Sequence, residues 1–183
     1  MSSSGQDDLN NVRDSAGWSD HEQRFVALSA ELADTVVAAL PGWVLASVRR
    51  VLTAYRGAAD GSVLEDARVA GRVAADHIGG EVRQLLAADL DEQRTNPLAV
   101  VRRAVIYPTA VLRAAGVPPV VRDAEAVRLF PDDEYDLTPA RFADLGSDEE
   151  GGVTPERLAQ LGIEWGAAKA FVHRARHRGG AQF

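Results

Sequence analysis

The stretch from residue 19 to residue 57, SDHEQRFVALSAELADTVVAALPGWVLASVRRVLTAYRG, decides the fold of this chain. Its apolar side chains return at every third or fourth position, which places them on one face of an α-helix. Ser19 and Glu22 form an S-x-x-E capping box that predicts the start of the first helix. Pro41 predicts the end of that helix and the first turn of a second, tandem helix that closes at Gly57. The inward positions of the first helix are then Phe25, Leu28, Leu32, Val36 and Leu40.

A second capping box, Ser62 with Glu65, predicts a long helix that runs to about Leu90. The pair Gly79-Gly80 lies inside it and predicts a kink or a break. The inward face begins with small residues, which let another helix approach closely, and continues with larger ones. These positions are Ala67, Ala70, Gly71, Ala74, Ile78, Val82, Leu85 and Leu86.

Asn96 and Pro97 predict the cap and first turn of a helix that ends at Gly116. Val101, Val105, Val111 and Leu112 are its inward positions, and Pro108 predicts a bend because proline removes a backbone hydrogen bond. Beyond Pro119 the chain turns to shorter pieces. They are a helix over residues 123–130, an acidic loop over 131–136 (PDDEYD), and helices that begin at Thr138-Pro139 and at Thr154-Pro155.

These patterns predict an all-α protein, an irregular bundle of about six or seven helices with no strand. We expect a disordered leader over residues 1–17, a single helical domain over 18–178 and a flexible tail over 179–183. Within the domain, residues 18–116 form the long-helix core and residues 117–178 the short helices and acidic loops.

The composition narrows the class of protein. The chain has 183 residues, no cysteine and a net charge of −7, so we expect no disulfide, no thiolate metal site and no broad affinity for nucleic acid. The first residues lack the basic and apolar regions of a secretory signal, and the longest apolar run, 36–48, is short for a membrane-crossing helix. These features predict a cytoplasmic protein without a membrane partner.

Candidate sites are few, because the common nucleotide-binding, hydrolase and zincin motifs are absent from the sequence. His173 and His177 have the i, i+4 spacing of metal ligands, but no third ligand is indicated, and a solvated helix end is the simpler interpretation. The acidic cluster of Asp132, Asp133, Glu134 and Asp136 can hold a hard cation, supply paired carboxylates for acid–base chemistry, or dock against arginines of the protein or of a partner. We expect a solvated docking loop, with Tyr135 as an anchor in the core, and no catalytic residue, metal or cofactor.

Two parts of the sequence resemble known families. The block FPDDEYDLTPARFADL together with IEWGAAKAFVHRARH, within about residues 97–178, resembles helical proteins of actinobacteria, a resemblance that implies no activity. Residues 154–176 resemble the helix-turn-helix of region 4 of bacterial sigma factors, with the turn at Gly162-Ile163. Only two residues separate Ala159 from Gly162, where that family has three. The resemblance implies that the second helix enters the major groove and that the DNA contacts are Glu164, Lys169, Arg174 and Arg176.

Three functions follow as hypotheses. The first is a non-catalytic interaction or regulatory module, in which the acidic C-terminal third and the small-residue helix face bind a protein partner or a second copy. The second is a DNA-binding regulator that acts through residues 154–176. The third is a small-ligand protein or an enzyme with a pocket between helices near Pro108 and the 131–137 loop.

Overall fold

The computed structural model describes the backbone over residues 4–87 and 96–179, and the side chains over 20–87 and 96–177. Six α-helices follow one another: α1 (Ser4–Arg56), α2 (Gly61–Ala87), α3 (Pro97–Arg102), α4 (Ile106–Ala114), α5 (Ala124–Leu129) and α6 (Pro155–Gly179). Two 3-10 turns complete them, Arg103–Val105 and Phe142–Leu145. The described ranges contain no strand, and the predicted all-α class is confirmed.

α1 is the central element of the bundle. Its C-terminal half packs antiparallel to α2, as the ion pair between Arg83 and Asp34 shows, and it also contacts α4. Residues 21–31 of α1 pack antiparallel to α6. Two cross-contacts define that second packing: Trp165 Nε1 donates to Ser29 Oγ at 3.0 Å, and Arg157 pairs with Glu31. The five inward positions predicted for the first helix, Phe25, Leu28, Leu32, Val36 and Leu40, are all buried.

The prediction that Pro41 separates two tandem helices is wrong, because α1 continues through Pro41 to Arg56. Packing on both sides of the proline offsets the hydrogen bond that it cannot make. A Cβ on Gly71 of α2 would lie 2.7 Å from Pro41 Cα, and one on Gly42 would lie 3.1 Å from Gly152 Cα. The chain therefore needs glycine at these positions to bring α2 and the 146–152 segment onto α1.

Other helix boundaries also differ from expectation. α1 begins upstream of Ser19, so Ser19 is not its cap. The N-terminal turn of α2 is held by Asp60, whose Oδ1 accepts from the Ser62 amide at 3.3 Å, while Glu65 pairs with Arg68 instead of closing a capping box. α2 does not break at Gly79-Gly80. The end expected near Leu90 lies outside the described residues.

The small-residue face of α2 is buried inside the bundle, against α1, and is therefore not a free docking surface. Gly79 belongs to this face, and a Cβ there would lie 3.2 Å from a methyl group of Val37. The predicted inward positions Ala67, Gly71 and Ala74 are buried, and Ala70 is half-buried. The periodicity thus identified the buried side of α2 correctly.

The helix after Asn96 begins and ends as predicted. The Asn96 side chain accepts from the Leu98 amide at 3.1 Å, and Gly116, with φ of 73°, ends α4. The interruption lies in the 3-10 turn at residues 103–105, ahead of the bend predicted around Pro108. This placement puts Pro108 in the first turn of α4, where its missing N–H removes no helical hydrogen bond within α4.

The C-terminal third follows the prediction in part. Asp123 caps α5, accepting from the Ala126 amide at 2.8 Å, and the Thr154 hydroxyl accepts from the Arg157 amide at 3.3 Å at the start of α6. No helix begins at Thr138-Pro139. The Thr138 hydroxyl donates to Asp133 instead of capping, and the 3-10 turn at residues 142–145 takes the place of the expected helix.

By length and composition, the Asp20–Arg56 part of α1 is apolar enough to cross a membrane. Half of its most apolar 18-residue window is buried in the bundle, and core helices of soluble proteins meet the same criterion. The expected absence of a membrane span, the cytoplasmic location and the division into leader, domain and tail stay predictions.

Candidate functional site

A cleft of about 480 Å³ opens between the α3–α4 region and the segment that follows α5. One wall comes from α3, the first 3-10 turn and the start of α4, and the other from residues 129–133 and Thr138. This volume lies in the range of binding sites for small molecules and peptide side chains. The lining residues are Ala99, Arg102, Arg103, Val105, Ile106, Leu129, Phe130, Pro131, Asp132, Asp133 and Thr138.

The loop wall is held by one buried acid. Asp133 is 1 % exposed, and its carboxylate accepts from the Leu137 amide at 2.8 Å, the Thr138 amide at 2.7 Å and the Thr138 hydroxyl at 2.6 Å. Tyr135 anchors the same loop by donating its hydroxyl to Val117 O at 2.7 Å, as the sequence predicted for this residue. The loop therefore has one fixed shape and presents Phe130 and Asp132 to the cleft.

The helical wall carries two arginines with different surroundings. Arg103 pairs with Glu81 of α2. Arg102 donates through Nε to Pro139 O at 3.1 Å, and its guanidinium carbon lies 5.5 Å from the centre of the Phe130 ring. This contact is a cation–π interaction that holds the guanidinium group beside the Phe130 ring. The Arg102 Nη atoms have no acceptor among the described residues.

The rim of the cleft is apolar and open to solvent. Ile106 is 46 % exposed and Leu129 is 52 % exposed, although both are large aliphatic side chains. Exposed apolar residues that gather around a concave surface indicate a binding site more than isolated ones do. Sequence reasoning expected a pocket near here but missed Arg102, Ile106 and Leu129, because their convergence depends on the 3-10 turn and on Asp133.

The structure separates the members of the predicted acidic docking loop. Asp133 is used internally, and Glu134 pairs with Arg113, which raises the pKa of Arg113 above its usual value through a hydrogen bond and through charge. Asp132 and Asp136 are exposed, and only Asp132 lines this cleft. Asp136 has a φ of 58°, a left-handed backbone that asparagine and aspartate tolerate. A docking role for these acids stays a prediction.

The prediction of a turn at Gly162-Ile163 is wrong, because α6 is one continuous helix from Pro155 to Gly179. Gly162 serves packing instead: a Cβ there would lie 3.2 Å from the Phe142 ring. The segment lacks the two-helix arrangement that the sigma-factor resemblance implies. DNA binding through residues 154–176 stays a prediction.

The four predicted DNA contacts do not share one face of α6. At about 100° per residue, Lys169 and Arg174 point about 140° apart. Lys169 Nζ lies 5.2 Å from the centre of the Trp165 ring, Glu164 accepts from Gln160, and Arg174 Nε donates to Ala170 O. Arg176 pairs with Glu22 of α1 at 3.0 Å. All four side chains therefore contact α6 itself or α1.

The two histidines of the last helix contact each other, with 3.1 Å between their Nε2 atoms. Among the described residues no group of three or more His, Asp or Glu side chains is placed to hold a metal ion. The other two histidines lie elsewhere: His77 contacts the Tyr107 hydroxyl at 2.9 Å, and His21 packs on Phe171 with 4.2 Å between ring centres.

The described residues form an all-α protein with an apolar cleft between α3–α4 and the segment after α5. A scan against models of protein families and searches of curated proteins and of solved structures find no match to this chain.

Proposed function

We propose that the protein is a non-catalytic helical interaction module whose cleft receives a segment of a partner protein. The observation that carries the proposal is the exposure of Ile106 and Leu129 on the rim of an apolar cleft of about 480 Å³. Covering these side chains removes apolar surface from water, at roughly 25 cal/mol for each Å². A large apolar side chain of the partner is therefore the central anchor.

The charges on the two walls specify the flanking residues of that segment. Arg102 on the helical wall has terminal nitrogens available for a carboxylate, which arginine binds in a bidentate geometry. Asp132 on the loop wall is exposed and makes no ion pair within the described residues, so it suits a lysine or an arginine. The partner segment that fits has an apolar anchor with an acidic residue on one side and a basic residue on the other.

The use of the polar groups favours binding over catalysis. A catalytic acid or base needs access to substrate and a pKa matched to the reaction. Asp133 is the buried acid of the cleft, and its oxygens are committed to the amides and hydroxyl of its own loop. Arg103 is committed to Glu81. These groups maintain the walls, and the exposed side chains make the contacts.

Selection from a peptide-display library on the full chain tests this function. We expect enriched peptides to contain Leu, Phe or Trp between an acidic and a basic residue. Leu129→Glu should weaken their binding at least about tenfold, since it places a charge on the rim. Val121→Glu is the matched control, because Val121 is fully exposed and lies outside the cleft.

A charge reversal makes the test specific. In selections on Asp132→Lys, the basic flanking position should become acidic while the apolar anchor is retained. Peptides that lack the anchor, or that bind Leu129→Glu as well as the parent protein, would overturn the proposal. Circular dichroism on each variant confirms that the helices are retained.

A further inference from the structure

The side of α6 that points away from α1 is an apolar ridge with opposite charges at its two ends. At about 100° per residue, six of its residues point within about 40° of one direction. They are Glu156, Gln160, Ile163, Ala167, Ala170 and Arg174. The buried residues of α6, Leu158, Leu161, Trp165 and Val172, point to the opposite side. Glu156, Gln160, Ile163, Ala167, Ala170 and Arg174 form the outer face of α6.

The centre of the outer face is exposed and apolar. Ile163 is 73 % exposed, the second-highest value among the large apolar side chains described, after Val121. Ala167 and Ala170 beside it are small, so another helix can approach closely there. Nothing in the described part of the chain covers this ridge.

A groove runs along each side of the ridge, and Ile163 lines both of them. One groove of about 320 Å³ lies towards Phe142, and the other of about 310 Å³ lies towards His21 and Phe171. A ridge with grooves on either side is the surface that helices use to pack against each other. A helix that presents the same kind of ridge can place it in one of these grooves.

The charges at the two ends of the outer face favour a second α6 as the binding partner and determine whether it lies parallel or antiparallel. Glu156 lies in the first turn of α6, Arg174 lies eighteen residues later on the same side, and a rise of about 1.5 Å per residue separates them by about 27 Å. Both side chains are exposed, and Glu156 makes no ion pair within the described residues. A second α6 laid antiparallel brings Glu156 of each copy to Arg174 of the other. A parallel arrangement would bring like charges together.

We infer that the outer face of α6 associates with the outer face of a second copy of this chain, antiparallel, about a two-fold axis level with residue 165. At that alignment Ile163 of one copy faces Ala167 of the other, a large residue against a small one on both sides of the axis. An isologous contact of this kind closes as a dimer.

The expected strength follows from the area. A strip about 27 Å long and about 11 Å wide covers about 300 Å² on each copy. Stable interfaces bury about 800 Å² on each partner, so this dimer is weak and forms at high protein concentration. Because two of its contacts are exposed ion pairs, added salt weakens it further.

Sedimentation equilibrium of the full chain, from about 20 to about 500 µM at low salt, tests the inference. The parent protein should show a monomer–dimer equilibrium. Glu156→Arg and Arg174→Glu, each alone, should weaken dimerisation at least about tenfold, because each places like charges opposite each other. The double variant Glu156→Arg/Arg174→Glu should dimerise again, because the pairs are restored with reversed sign.

Two controls separate this contact from other effects. Asp66→Arg makes the same change of charge as Glu156→Arg on an exposed position of α2 and should leave dimerisation unchanged. Leu129→Glu changes the cleft and not the outer face, so it should leave dimerisation unchanged. The peptide-binding proposal and the dimer proposal can therefore fail independently of each other. A parent protein that is monomeric throughout, single reversals without effect, or a double variant that does not recover would each overturn the inference.

Discussion

Gly71 of α2 lies directly against Pro41 of α1. A Cβ built on Gly71 would stand 2.7 Å from Pro41 Cα and 3.0 Å from Pro41 O, closer than carbon atoms pack without displacement. The contact places the backbones of the two longest helices side by side at the one residue where α1 lacks an N–H. Close packing thus coincides with the weakest point in the hydrogen bonding of α1.

Gly71→Ala should therefore destabilise the protein, although alanine is the better helix former. We expect the free energy of unfolding to fall by about 1–3 kcal/mol, the usual cost of overpacking a core. Gly80→Ala is the matched control in the same helix, since a Cβ at Gly80 meets nothing within 4 Å. That variant should be as stable as the parent or more stable by up to about 1 kcal/mol. Urea unfolding followed by circular dichroism measures both, and equal stabilities would contradict the close contact.

Asp133 should be the acid of the 131–136 loop on which the fold depends most. Asp133→Ala leaves the Leu137 and Thr138 amides without their acceptor, and each unsatisfied buried donor costs about 1–3 kcal/mol. Asp132→Ala, at an exposed neighbour, should change stability by less than about 0.5 kcal/mol. Thermal unfolding compares the two variants. Similar melting temperatures would show that the loop does not depend on the Asp133 carboxylate.

We expect the folded protein to lose stability in alkali because of the buried phenol of Tyr135. Burial raises the pKa of its phenol and the charge of Glu134 raises it further, while Arg113 lowers it by less. The folded state therefore keeps the proton above the ordinary tyrosine pKa of about 10, where the unfolded chain loses it. The free energy of unfolding should fall as the pH rises above that value and should be unaffected by this group below it.

Tyr135→Phe isolates this effect. The variant loses the hydrogen bond to Val117 O, so we expect it to be about 1 kcal/mol less stable near neutral pH. Between neutral and alkaline pH, the free energy of unfolding of this variant should fall by less than that of the parent protein. Urea unfolding between about pH 8 and about pH 11 makes the comparison. An identical alkaline loss in both proteins would exclude Tyr135 as its source.

The helix-turn-helix hypothesis has its own test. If residues 154–176 bound DNA, duplex affinity should fall steeply with added salt and disappear in Arg174→Ala/Arg176→Ala. We expect no such affinity, because α6 is unbroken and Arg176 pairs with Glu22. Arg176→Ala alone should instead lower stability by about 0.2–1 kcal/mol, the usual range for an exposed ion pair. Fluorescence anisotropy with a labelled duplex decides between the two outcomes.

Helix periodicity and capping residues predicted the features of the fold that depend on neighbouring residues in the sequence. The stripe from Phe25 to Leu40 of α1, the inner face of α2 and the caps at Asn96 and Thr154 depend on residues within a turn or two of each other, and these predictions are confirmed. Pro41 misled for a different reason. The loss of one helical bond is outweighed by the packing of α2 and of the 146–152 segment, which lie far from it in sequence.

The cleft was harder to predict than the helices. A pocket near Pro108 and the acidic loop was expected, but its walls depend on Asp133 turning the loop inward and on Arg102 lying along Phe130. In neither contact do the two residues belong to one helix, so the spacing of residues along the sequence does not predict that they meet. Gly162 illustrates the same difficulty, because a glycine required to admit the Phe142 ring has the same appearance in sequence as a glycine required for a turn.

The position of Lys169 beside Trp165 has a practical consequence for labelling. An amine-reactive fluorophore attaches to one side chain only, besides the terminal amine, and it starts 5.2 Å from an indole that is itself tied to Ser29 of α1. Indole quenches many dyes on contact, and Lys169 lies one turn after Trp165 on the same helix. The emission of such a conjugate would therefore brighten when α6 itself unfolds, and the chain has a natural attachment point for following the unfolding of its last helix.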